Sequence, residues 1–148
     1  MSDKKLDSSS ALDAALARRV ELKSAVSEVE TSAAKPIKED GWQDGLLHAL
    51  ESLRIALDQH VEEVEAEHGL LVEVEHTSPR LARLVGQVRD EHPVLQRQVA
   101  GTIAMAKEEG NHDQVRTEVL ETLVAVARHR QAGADLVYES YNVDLGGG

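Results

Sequence analysis

The sequence predicts an all-α protein, an antiparallel up-down-up-down four-helix bundle. Apolar residues recur at steps of three and four in each of four long segments, as in Leu46, Leu50, Leu53 and Leu57. That spacing puts them on one stripe of a helix. No segment of useful length alternates apolar and polar residues in the period-two manner of a strand. The breaks between the segments are short, and long helices joined by short connections pack as antiparallel neighbours.

The first helix is expected from about Ser10 to Ala33, with Ser10 as N-cap. It ends before AAKPIKEDG, where Pro36 and Gly41 break the pattern. The second begins near Asp40, with Gln43 in the capping-box position. It continues at least to His68, after which Gly69 ends it or LLVEVEH extends it. Ser78-Pro79 starts the third, a serine cap followed by proline at the first helical position. That helix runs to about Glu108, and Gly110 closes it. Asn111, with Gln114 three residues on, opens the fourth, which runs to about Tyr141. The bundle thus spans residues 10–142, and residues 1–9 and 143–148 are expected as mobile tails.

Composition supports one domain at 148 residues. Aromatic residues are 2% and phenylalanine is absent, so the core must be Leu, Val, Ile and Ala. The net charge of -11 argues against nucleic acid and anionic membrane surfaces as partners, because both require a basic face. No apolar run approaches the roughly 18–20 residues needed to span a bilayer. With no cysteine there is no disulfide and no thiolate metal site. The N-terminus MSDKKLDSSS has no apolar signal region, and a cytoplasmic protein is expected.

The heptad seams carry the functional signal. They read Leu12, Ala15, Arg19, Leu22, Val26, Val29 and Ala33 on the first helix, and Leu46, Leu50, Leu53, Leu57, His60, Val64, Glu67 and Leu71 on the second. The third gives Leu81, Val85, Val88, His92, Leu95, Val99 and Thr102. The fourth gives Val115, Val119, Thr122, Val126, His129, Gly133 and Leu136, with Leu123, Arg130 and Val137 as a competing seam. Each seam has a basic or titratable residue in its middle. A helix rises about 1.5 Å per residue, so His92, sixteen before Glu108, and His129, sixteen after Asp113, should stand at one height. His60 matches His92 about the other connection; Arg19 is less well matched, across a longer one.

Buried imidazoles need hydrogen bonds or a metal, and neutral imidazole is a common metal ligand. Candidate carboxylates are Glu63, one turn from His60, and Glu67, two turns away on the same seam. Glu91 flanks His92, and Asp135 and Glu139 follow His129. Gly133, one turn from His129, leaves volume for a ligand or for close helix packing. His48, His68, His76 and His112 fall near helix ends or on polar faces and read as surface residues. Trp42 reads as a cap on the bundle's end.

This layout resembles the hemerythrin-like family, the HHE cation-binding four-helix bundles. The resemblance covers residues 11–141 and is strongest in LDQHVEEVEAEHGLL, VRDEHPVL and ARHRQAGADLVYE. It implies a metal centre, iron in that family, that binds or senses oxygen, nitric oxide or iron. His60, His92 and His129 match family ligand positions. The chain departs from the family at Arg19, Val64, Gln96 and Ala134, where the family places further ligands. The resemblance therefore implies a single-metal site of the three histidines with Glu63 or Glu67, a donor set that iron and zinc both accept. The expected partner is a metal ion or a small diatomic ligand. Two other readings stand beside it. One is a metal-free scaffold whose outer faces bind a protein and whose polar layer of Arg19, His60, Glu67, His92 and His129 fixes helix register. The other is a redox enzyme that uses one iron on peroxide.

Overall fold

A computed structural model describes the backbone of residues 2–146 and the side chains of residues 10–142. Four long helices and one short one form the described chain: α1 (Ser2–Ala34), α2 (Trp42–Glu65), α3 (Leu70–Thr77), α4 (Ala82–Lys107) and α5 (His112–Gly146). A single 3-10 turn, Pro79–Leu81, leads into α4. There is no strand among the described residues. The side chains of the expected tails, 1–9 and 143–148, lie outside the described residues, as do Met1 and residues 147–148 altogether.

The predicted seams are the core. Leu22, Leu46, Leu50, Leu53, Leu57, Val85, Val99, Val115, Val119 and Val126 are fully buried. Removing one leucine side chain from water contributes roughly 1.5–3 kcal/mol, so these stripes supply much of the drive to fold. α2 packs against α1 and α4, and α4 against α5. Side-chain contacts fix the register. Gln43 Nε2 donates to the Ala106 carbonyl at 2.7 Å, and Gln96 Nε2 donates to Asp58 Oδ1 at 3.0 Å. Between α1 and α5, Arg116 Nε donates to the Ala33 carbonyl at 3.0 Å. Gln43 with Ala106 and Asp58 with Gln96 show residue numbers falling along α4 as they rise along α2, the order expected of neighbours that run in opposite directions. Trp42 is buried at one end, with the Arg116 guanidinium 5.7 Å from its ring and the His112 ring 5.1 Å away.

Several local expectations change. The capping box at Asp40–Gln43 does not form: α2 starts after Gly41 with no side-chain cap, and Gln43 is spent on the tertiary bond to Ala106. Nor does Ser78 cap the following helix; its Oγ lies 3.4 Å from Ser140 Oγ on α5. Gly110 has φ +93°, as its place after α4 predicts.

The segment after His60 departs most. α2 ends at Glu65, the chain turns at residues 66–69, and LLVEVEH becomes part of the separate helix α3. Gly69 explains the turn. A Cβ there would meet the Glu63 carbonyl oxygen and would stand 2.7 Å from that of Val64, both of them backbone atoms that cannot swing aside. Gly69→Ala should therefore cost about 1–3 kcal/mol, the usual range for overpacking a tight site. Urea denaturation checks this, and an unchanged midpoint would contradict the close approach.

Candidate metal centre

The histidine layer divides the core in two. One apolar cluster contains Leu22, Leu57, Leu95 and Val126; the other contains Ala15, Val64, Val88 and Leu136. Arg19, His60, His92 and His129 each fall between one member of the first set and one of the second. The heptad repeat on four helices thus delivers one polar residue per helix to the same level.

Three of these residues meet. One ring nitrogen from each of His60, His92 and His129 lies within 4.8 Å of the others. The ring centroids are 4.7 Å apart for His92 and His129, and 5.8 Å for His60 with each of the other two. His92 and His129 are buried and His60 is half-buried.

Desolvation sets their chemistry. Burial, then the neighbouring histidines and then the positive charge of Arg19 and Arg130, push His60 down to about 4. Burial and the proximity of His129 push His92 down to about 4 as well. Both rings are therefore neutral at pH 7, the form in which imidazole has a lone pair to offer. Nδ1 of His60 and both ring nitrogens of His92 are buried without a hydrogen-bond partner.

Carboxylates stand behind two of the rings. His129 Nδ1 lies 2.7 Å from Glu91 Oε1. With the proton on Nδ1 donated to Glu91, the lone pair of His129 is left on Nε2. His92 Nδ1 lies 3.4 Å from Glu65 Oε2, near enough for attraction but outside hydrogen-bond geometry. Each carboxylate comes from a neighbouring helix: Glu91 on α4 serves His129 on α5, and Glu65 on α2 faces His92 on α4. A carboxylate behind a ligating histidine orients the ring and raises its basicity.

Three convergent imidazole nitrogens are a donor set that a single transition-metal ion accepts. Nitrogens bound at about 2.0–2.1 Å to a tetrahedral ion stand about 3.4 Å apart, so these rings would draw together by up to about 1.4 Å. Three protein ligands would leave a fourth position for water or a small ligand.

The other candidate residues lie elsewhere. Glu67 is exposed in the turn at residues 66–69, because α2 ends before it and its seam position is lost. Glu63 is half-buried and lines a surface depression with Ser10, Ala11, Ala14 and His68. The nitrogen cluster consists of the three histidines alone. Asp135 accepts from Gln131 and Glu139 pairs with Arg80. His48, His68 and His76 are exposed, and the half-buried His112 ring lies tilted against Trp42.

A cavity of about 80 Å³ adjoins the three histidines. Leucines and valines form most of its wall, together with Arg19, Arg130 and Gly133. A Cβ at Gly133 would meet nothing within 4 Å, so this glycine leaves open space. The seams marked Arg19 and Gly133, but the part played by Arg130, Glu65 and Glu91 comes from the three-dimensional arrangement. Arg130 stands on the competing seam of the last helix, while Glu65 and Glu91 each directly flank a seam residue, where side chains reach across to the next helix.

Compared with protein-family models, with curated proteins and with solved structures, the chain matches none.

Proposed function

We propose that this protein is a hemerythrin-like metal-binding bundle in which His60, His92 and His129 hold a single transition-metal ion. The observation that carries this reading is the meeting of three imidazoles from three helices, with buried nitrogens that have no partner in the protein. Leaving such a group unsatisfied costs about 1–3 kcal/mol, and a bound ion would satisfy one nitrogen, the lone-pair acceptor, of each ring. Glu91 and Glu65 suit the role of orienting carboxylates. Iron is the metal that the family resemblance implies; three imidazoles accept zinc equally well. The open position and the adjoining cavity suit a small ligand.

Elemental analysis of untagged protein from iron-supplemented cells, with an absorption spectrum in air, tests the proposal. About one iron or zinc per chain is expected from a site with three ligands. A substoichiometric content that His92→Ala leaves unchanged would overturn it.

A second reading is favoured by Arg19 and Arg130, whose fixed charges at the cavity oppose a bound cation. In it the histidines form a metal-free layer that fixes helix register. His92→Leu should then raise the melting temperature, because apolar residues of similar volume often replace buried polar groups favourably. A fall in melting temperature, together with loss of metal, speaks for the metal site.

A further inference from the structure

The wall of the histidine cavity holds a charge pattern that the metal does not use. Arg19 and Arg130 both line it. Neither makes an ion pair or a side-chain hydrogen bond among the described residues, and Nε of Arg130 is buried without a partner. In a chain with 27 acidic and 16 basic residues, two unpaired arginines at one cavity stand out. They also repel one another: burial, and then the charge of Arg19, lower the pKa of Arg130. The charge of Glu30 reaches Arg130 but forms no ion pair with it. A guanidinium keeps its proton under such pressure, so the mutual repulsion persists until an anion relieves it.

The remainder of the wall is hydrocarbon, from Leu12, Leu16, Leu70, Val74, Leu136 and Val137 among others. We propose that this cavity binds a short aliphatic monocarboxylate, with the carboxylate against Arg19 and Arg130 and the chain among the leucines and valines. The planar guanidinium matches a carboxylate with paired hydrogen bonds. An apolar wall disfavours phosphate or sulfate, which have no hydrocarbon to bury. Size sets the length. A cavity of about 150 Å³ accepts benzene. The 80 Å³ here accepts an alkyl chain of roughly three carbons beyond the carboxylate, on the same scale. The overall charge of -11 further favours a monoanion over a more highly charged ligand. The inference goes beyond the metal reading and does not require it.

The test is titration of ¹⁵N-labelled protein with butyrate and, separately, with uncharged butyramide, in chelator-treated and zinc-loaded samples. Butyrate should give saturable shifts at the Arg19 and Arg130 Nε–H signals and the Gly133 amide in both samples. Butyramide should bind about ten- to a hundred-fold more weakly, the usual consequence of losing a charge-assisted hydrogen bond. Arg130→Gln should weaken butyrate by a similar factor. Gly133→Leu should abolish binding by filling the cavity, with helix content unchanged by circular dichroism. Equal binding of the two ligands would overturn the proposal, as would butyrate affinity unchanged in Gly133→Leu, or no saturation at tens of millimolar. Butyrate binding that needs zinc and ignores Arg130→Gln would place the carboxylate on the metal; that overturns this inference and supports the metal site. Arginine-dependent binding in a protein that takes up no metal would sustain this inference and overturn the metal site.

Discussion

His60→Ala, His92→Ala and His129→Ala should each abolish metal binding, while His112→Ala should leave it intact. The three rings offer the only cluster of nitrogen or carboxylate ligands found among the described residues, and it contains no spare member. Removing one imidazole leaves two ligands, too few to hold a divalent ion against water and buffer. His112 is the proper control because it is half-buried, as His60 is, but it packs against Trp42 at the other end of α2 from His60. Eighteen residues of helix separate Trp42 from His60, about 27 Å at 1.5 Å per residue. Glu91→Gln should have an intermediate effect. The amide still meets His129 but no longer strengthens its basicity, and loss of such an orienting carboxylate usually costs about 10–100-fold in metal affinity. Metal content after gel filtration and competition with a chromophoric chelator read both effects. Equal metal in the four alanine variants would show that the histidines are not the ligands.

The second large effect concerns acid stability of the metal-free protein. His60 and His92 are held down to about 4, against 6.5 in an unfolded chain. Between these values the unfolded state binds more protons than the folded one, so stability rises with pH. The contribution is complete above about pH 6.5 and is lost as the pH falls towards about 4. For the fully buried His92, a depression of this size corresponds to about 3 kcal/mol. His60 adds to this in the same direction but not independently, since the two rings repel when both are charged. Urea denaturation in chelator at pH 7.5, 5.5 and 4.5 should show a progressive fall of a few kcal/mol. His92→Leu should flatten that dependence. A profile already flat in the wild type would mean that the rings are charged, or solvated, in the folded state. Metal should steepen the profile, because only neutral imidazole ligates and protons compete with the ion.

Charge pattern and cavity bear on both effects. Arg19 and Arg130 lower the affinity of the histidine layer for any cation, and a bound anion would restore it. Metal uptake and carboxylate binding at this cavity should therefore be coupled favourably, each raising the affinity for the other.

The four-helix arrangement was legible in the sequence because helical periodicity states which residues face inward. Leu46, Leu50, Leu53 and Leu57 are all fully buried, and Thr102 and Thr122, both seam members, meet at 2.8 Å between their hydroxyl oxygens. Height was legible too, because the rise per residue is constant and the connections are short. Counting along the helices was enough to bring His92 and His129 together and to place His60 beside them. Counting failed for Glu67. The pattern of LLVEVEH continues the helical period while Gly69 offers an end to it, so the sequence left both courses open; the structure ends α2 at Glu65, with Gly69 close against the carbonyls of Glu63 and Val64. The partners of the histidines also escaped, since periodicity gives the angle of a residue about its own helix and not its reach to the next. Glu91 flanks a seam histidine in sequence yet bonds a different one in space. The seams pointed to Arg19, Arg130 and Gly133, but the cavity they share and the lack of partners for the two arginines were settled by tertiary packing, because empty volume and unpaired charge are properties of the gaps between helices.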